Sequence, residues 1–479
     1  MMPALWYTAV GLLLLLSPRC SAAVNDHAHP LPAPGSLRVD LMDAVQPPLM
    51  LVTANVRPSF SFIAPADAGL PMSHYRVLVH DLAGTVAWDS GKKAGGAAVN
   101  IKCGRDLKAG ASYTWTARYW GAGGSGSAVS SAAFDVGLLG TADWAGAAWL
   151  GGGQRQFKLV HEELVAAAGA RASKLKLHVA SPGGVTVKVG GLPVGDAVGV
   201  SLWADNQKSV HYFSFDLTAS QLRFAEQPAE QVVIDCGAGF WASNTSVETW
   251  GHGQDRDMQP GHVACKILLV SDGAAGRQVV LRSGAESIMG RPGPVLAGDP
   301  WRGSIIDLTL PAAAGWEAAR LAPDTPTHIP AGALFPLPAP FARTLDAAQA
   351  VSVSSVPQRP GTFLYSFPSN IVGHAAVKAG AATGTAAGGG ELTLEYCEVW
   401  DHTLGAFQPL ARRCHSKHLP LPPPTHPESW QKYRHVCRWL RPVAAAVHRA
   451  ERFATDLQRD HRCMECRLRS LCSGVCSHL

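Results

Sequence analysis

Short stretches in which apolar and polar residues alternate recur from position 59 to position 396, each closed by turn chemistry. Ser59-Phe60-Ser61-Phe62 alternates as a half-buried strand does. Strands follow at 75–79 and 86–88, and Asp89-Ser90-Gly91 supplies a turn. Residues 113–120 alternate for eight positions, placing Tyr113, Trp115, Ala117 and Tyr119 on one face and Thr114, Thr116, Arg118 and Trp120 on the other. A Gly/Ser-rich turn at 121–127 and a strand at 133–136 close a unit of about eighty residues, the length and rhythm of a small two-sheet sandwich. A second run places strands at 175–179, 185–189, 212–215, 232–234, 266–270 and 279–281. Ser181-Pro182-Gly183-Gly184 reads as the hairpin turn between the first two, and Asp272-Gly273 as the turn between the last two. Short strands at 350–353, 362–365 and 392–396 form a third stretch, interrupted by low-complexity 380–390. The one helical candidate is a two-turn segment at 161–168.

The pattern predicts an all-β chain of tandem β-sandwiches: a fibronectin type III or immunoglobulin-like unit at 58–138, a jelly-roll at 139–320 and a partial β-domain at 321–401, the Pro-rich 321–340 serving as the join. Residues 24–57 read as a linker or leading strand. Residues 1–23, with an apolar run ending in five leucines and followed by small residues, read as a secretory signal peptide, too short to span a bilayer. Secretion, an extracellular location and a glycosylated Asn244 in Asn244-Thr245-Ser246 are the corresponding expectations.

Composition changes this picture mainly at the end. The 479 residues carry a net charge of +5, but from His402 onward there are 13 Lys+Arg and 5 Asp+Glu, so the body before it is slightly acidic and gives no sign of nucleic-acid binding. The tail 402–479 is Pro-, Arg-, His- and Cys-rich without a sheet pattern, and is expected to be disordered or weakly helical. Cys463, Cys466, Cys472 and Cys476 offer a zinc-site alternative, or an oxidised knob in a secreted chain, while translated non-coding sequence is the blander reading. In the body, Cys103, Cys236, Cys265 and Cys397 allow three pairings, and buried free thiols are the favoured reading. Asp235 reads as a loop hydrogen-bonding residue, the run Gly237 to Trp241 as structural rather than a phosphate loop, and Glu391 and Glu395 as one solvated strand face.

Four marks, in order, resemble the N-terminal modules of bacterial-type α-L-rhamnosidases, inverting glycoside hydrolases. The first is Pro58-Ser59-Phe60-Ser61-Phe62 with Tyr75-Arg76-Val77, Trp88-Asp89-Ser90-Gly91-Lys92 and Tyr113 to Trp120. The second is Phe134 to Leu139 with Asp143-Trp144 and Trp149-Leu150-Gly151. The third is Leu177 to Ala180 continuing through Val189 to Asp196. The fourth is Phe367 to Gly373 followed by Tyr396-Cys397-Glu398. Departures fall at Gly190-Gly191, where the family has Asn-Gly, and at Pro368-Ser369 before Asn370, where it has Gly-Gln. The resemblance implies terminal α-L-rhamnose as the sugar cleaved and rhamnose-containing glycans as partners, with no cofactor. It also implies that the acid and base carboxylates come from an (α/α)6 barrel, for which the 78 residues after Asp401 show no helical pattern. The chain is therefore expected to be inactive as given, without catalytic residues. A secreted, non-catalytic carbohydrate-binding or adhesion protein is the alternative. Sugar rings pack on aromatic faces, which makes Trp241, Trp250, Trp301 and Trp400 in or near loops, with Asn370, the carbohydrate-binding candidates against ordinary aromatic packing.

Overall fold

The computed structural model of the protein describes residues 31–407, apart from internal stretches of which 219–231, 238–264 and 372–390 are the longest, and residues 463–469. The first sandwich contains β1 (Gly35–Val39), β2 (Met42–Asp43), β3 (Val52–Thr53), β4 (Ser59–Ile63), β5 (Met72–Asp81), β6 (Val86–Asp89), β7 (Lys93–Ala94), β8 (Ile101–Lys102), β9 (Ser112–Gly121) and β10 (Ser130–Val136). One sheet runs β2-β1-β4-β8; the other runs β3-β10-β9-β5-β6, with β7 on β5. The alternation in β9 has the predicted outcome: Tyr113, Trp115, Ala117 and Tyr119 are buried. Phe60 of β4 meets Trp115 at 4.9 Å and Phe134 at 5.7 Å between ring centroids, so the two sheets are joined through aromatic contacts.

Two expectations change here. The segment 24–57, expected as a linker or leading strand, supplies three strands of this sandwich. β4 is buried on both faces rather than one: Ser59 and Ser61 are buried along with the phenylalanines beside them. Their polar groups are met locally, since Ser59 donates its N–H and hydroxyl to Asp40 and Ser61 accepts from the Asn100 N–H.

The second sandwich follows the junction helix turn Thr141–Trp144. Its strands are β11 (Gln156–Leu159), β12 (Lys174–Ala180), β13 (Val185–Val189), β14 (Leu192–Pro193), β15 (Ala197–Val198), β16 (Ser209–Asp216), β17 (Val232–Cys236), β18 (Lys266–Gly273), β19 (Gly276–Arg282), β20 (Ile288–Arg291), β21 (Val295–Asp299), β22 (Gly303–Ile306), β23 (Glu317–Ala318), β24 (Ala333–Pro336) and β25 (Ala342–Arg343). Sheet one runs β14-β13-β17-β11-β20-β23 and sheet two β19-β18-β12-β16-β24, with small pairs β15-β25 and β21-β22 beside them. Phe157, Val187, Ile234 and Ile288 of sheet one and Leu177, Phe213, Ile267 and Leu269 of sheet two belong to one buried cluster. β18 and β19 pair as an antiparallel hairpin, but Asp272 and Gly273, expected as its turn, are the last two residues of β18, opposite Arg277 and Gly276. The Ser181 to Gly184 turn is not a hairpin: β12 lies in sheet two and β13 in sheet one, so the turn carries the chain across the sandwich. The Pro-rich 321–340 is not a plain join either. It contributes β24, an edge strand parallel to β16 that ends at Pro336, a position where a missing N–H costs no ladder bond.

Cys236, at the end of β17, and Cys265, before β18, form a disulfide with Cα atoms 6.3 Å apart, which corrects the reading of both as free thiols. Sequence separation hid the pair: β17 lies in sheet one and β18 in sheet two, and their ends meet across the sandwich. Cys103 is a buried free thiol, and burial pushes its pKa up.

The third region holds β26 (Ser352–Ser355), β27 (Thr362–Ser366), β28 (Glu391–Tyr396), β29 (Trp400–Asp401), β30 (Ala406–Phe407) and β31 (Cys463–Arg469), with a sheet order of β26-β27-β31-β28 and a β29-β30 pair. The tail thus supplies a central strand at 463–469, where the sequence showed no sheet pattern. Of the expected helical segment 161–168, Glu162 and Leu164 are described, and both are helical. No helix among the described residues is long and apolar enough to cross a membrane.

Candidate functional site

Two polar clusters stand out, one between the sandwiches and one on an open sheet face. The first is built on β12. Lys174 and Lys176 alternate with Leu175 and Leu177, so the leucines enter the core and the lysines point toward the first sandwich. Lys176 is fully buried. Its Nζ lies 2.6 Å from Asp272 of β18 and 3.1 Å from Asp135 of β10, and donates to the Gly110 carbonyl at 2.8 Å. Lys174 reaches the other Asp135 oxygen at 2.7 Å, and Ser112 donates to Asp135 at 2.6 Å. Burial alone would raise the Asp135 pKa, but Lys176 and Lys174 outweigh it and hold the carboxyl below its usual range. Next to them, the Leu138 N–H donates to the Tyr212 hydroxyl at 2.6 Å. A Cβ on Gly137 would lie 2.4 Å from that hydroxyl, so only glycine permits this approach. His178 Nδ1 and Ser214 Oγ share a hydrogen bond at 2.8 Å, and Nε2 is buried without a partner. Burial first, then the Lys176 charge, lowers the His178 pKa to about 3, so the ring is neutral.

The second cluster lies on the outer face of sheet one. In β11, Phe157 and Leu159 face the core while Gln156 and Lys158 face outward. The register aligns Thr186 of β13, Asp235 of β17, Gln156 and Arg291 of β20 in one row across four strands. Gln156 is the hub: its amide nitrogen donates to Asp235 and its oxygen accepts from Arg291 Nε at 2.6 Å. Lys188 pairs with Asp235 at 3.2 Å, both partly open, with side chains 37% and 26% exposed. Trp316, two residues before Ala318 of β23, holds the Arg291 guanidinium 4.4 Å and the Lys158 ammonium 4.9 Å from its ring centre. The chain at Gly293 passes over Gln156, where a Cβ would meet that side chain at 3.1 Å. The result is a half-covered strip with three cations, one carboxylate, one amide and one indole. It can accept from sugar hydroxyls, donate to them and attract an anionic group.

Trp241, Trp250, Trp301, Asn370 and the sequon Asn244 lie outside the described residues, as do Cys472 and Cys476. Trp400 is in β29, opposite Phe407. Cys463 and Cys466 fall on β31, and Glu391 and Glu395 on β28. Among the described residues no three His, Cys, Asp or Glu side chains gather as a metal site. Asp235 is a strand residue in the polar row rather than a loop residue. The row was missed because its members are distant in sequence. The signal was the polar alternation in 156–159 and 185–189, but only the register shows that these positions share a face with Arg291 and Trp316.

Two successive β-sandwiches meeting at a buried polar joint define a tandem β-sandwich protein. Residues 41–140 match the Rha78A-like N-terminal immunoglobulin domain. The fold is similar to that of the α-L-rhamnosidase from Dictyoglumus thermophilum (TM-score 0.54, 18% identity), over 77% of this chain and 42% of that one. It is also similar to the native α-L-rhamnosidase from Aspergillus terreus (TM-score 0.55, 15% identity, 77% and 41%). The Streptomyces avermitilis α-L-rhamnosidase complexed with L-rhamnose matches likewise (TM-score 0.56, 17% identity, 77% and 51%). The chain spans about half or less of the length of these structures. No curated protein matches it in sequence. The resemblance to α-L-rhamnosidase N-terminal modules read from the sequence is borne out, in the immunoglobulin domain by the family model and beyond it in the fold.

Proposed function

We infer that the chain is the accessory β-domain portion of an α-L-rhamnosidase-like glycoside hydrolase, binding rhamnose-containing glycans and serving the inverting hydrolysis of terminal α-L-rhamnose. The observation that carries this reading is the Rha78A-like immunoglobulin domain at 41–140, continued by a fold likeness to α-L-rhamnosidases over 77% of the chain. One of those structures holds L-rhamnose. The sandwiches bind and brace, and do not themselves hydrolyse. Inverting hydrolysis needs two carboxyls about 6.5–9.5 Å apart with room for a water. Here the enclosed carboxylates Asp135 and Asp272 flank a lysine instead, and Asp235 faces Lys188. The Cys236–Cys265 disulfide supports a secreted protein folded in an oxidising compartment. The full chain is expected to release no p-nitrophenol from p-nitrophenyl α-L-rhamnoside; measurable turnover would overturn the non-catalytic reading. The polar face of sheet one equally suits a secreted carbohydrate-binding protein outside any hydrolase. Glycan-array binding by the full chain that is lost on Lys188→Gln favours that second reading.

A further inference from the structure

The open strip on sheet one is chemically more specific than a general sugar-binding surface. Among the described residues, its outward positions across β13, β17, β11 and β20 include Lys188, Lys158 and Arg291, set against Asp235. Neighbouring strands lie about 4.8 Å apart, which puts Lys188 on β13 and Lys158 on β11, two strands away, within reach of one extended ligand. Gln156 fixes the Arg291 guanidinium from one side and Trp316 packs against it, so the fork is oriented before any ligand arrives. Asp235, 26% exposed, is an acceptor set among these donors. An acceptor there suits a ligand that brings hydroxyl donors beside its negative charge. It works against a dianionic phosphate, which Asp235 would repel.

We propose that this face binds an acidic saccharide, a uronate-bearing oligosaccharide whose carboxylate is held by Arg291 with Lys158 and Lys188 and whose hydroxyls meet Asp235 and Gln156. The proposal rests on the sugar-binding reading above and names the sugar class. Trp316 serves as the support of the two cations rather than as a stacking platform, because both approach its ring. Binding is therefore carried by charge and weakens as salt rises.

The test is isothermal titration of the full chain with a galacturonate oligosaccharide, its reduced neutral counterpart, a neutral rhamnoside and inorganic phosphate, at low and high salt. The uronate oligosaccharide is expected to bind, its neutral counterpart at least about tenfold more weakly, and the Lys158→Gln and Lys188→Gln variants about tenfold more weakly with unfolding midpoints unchanged. Arg291→Lys keeps the charge without the fork and is expected to lose part of the affinity. Equal binding of the uronate and its neutral counterpart, or uronate binding untouched by both lysine variants, overturns the proposal. Phosphate binding as tight as uronate binding overturns the choice of carboxylate. Rhamnoside binding without uronate binding sinks this inference and leaves the sugar-binding reading standing. If no saccharide binds, both fall.

Discussion

Lys176 and Lys188 sit on successive strands of one sandwich, each beside aspartate, yet they stand in opposite situations. Lys176 is fully enclosed between Asp135 and Asp272, and its ammonium also donates a hydrogen bond to the Gly110 carbonyl. Lys188 shares Asp235 at 3.2 Å with 37% of its side chain open to water. The difference lies in the strand's surroundings: β12 meets the first sandwich through Lys174 and Lys176, while β13 leaves Lys188 partly open to water. In the enclosed case, removing one partner strands an unpaired charge in low dielectric, which makes that joint a structural fixture. In the open case water screens each charge, so the pair adds little to stability and keeps its chemistry for a ligand.

The largest expected effect breaks the enclosed side. Lys176→Met removes the buried ammonium set between Asp135 and Asp272 and is expected to cost about 3–5 kcal/mol in urea unfolding. A cost below about 1 kcal/mol would put Lys176 in the same class as Lys188. Next comes the disulfide, which ties the end of β17, the strand of Asp235, to the start of β18, the strand of Asp272. It closes a loop with a sequence separation of 29 residues, and reduction is expected to cost about 3–4 kcal/mol on the chain-entropy model. No change in the unfolding midpoint with a reductant would show that the strand ends hold without it.

Acid acts on the joint in steps. His178 has a folded pKa of about 3, below its unfolded value of 6.5, so the unfolded chain takes up the proton first as pH falls. The His178 contribution to stability is therefore present above about pH 6.5 and is lost progressively as pH falls from there toward about 3. Asp135, also depressed, adds to the loss below the ordinary carboxylate range. His178→Gln, which keeps a partner for Ser214, is expected to flatten the slope between pH 6 and 4, as read by thermal unfolding. An unchanged slope would show that the ring is not what acid attacks.

Much of the architecture was legible because it is local. Alternation at 113–120 and 185–189 predicts both the strands and the faces they bury, since a strand repeats every two residues. The junction mark Phe134 to Leu139 proved to be the joint itself, with Asp135, Gly137 and Leu138 all in contact across it. What stayed hidden depends on register between distant segments. The Ser181 to Gly184 turn looks like a hairpin until β12 and β13 are seen in different sheets. Gln156 meets both Asp235 and Arg291 through pairings that no short window contains, and Cys236 meets Cys265 across the two sheets.

The contrast between the two lysines is tested most directly by measuring Lys176→Met and Lys188→Gln side by side, for unfolding free energy and for uronate oligosaccharide affinity. The expected result is crossed. Lys176→Met loses about 3–5 kcal/mol of stability. Lys188→Gln stays within about 1 kcal/mol of the parent and loses about tenfold in affinity. Two variants that lose stability alike, or a Lys188→Gln protein that binds as the parent does, would contradict the division between an enclosed joint and an open binding face.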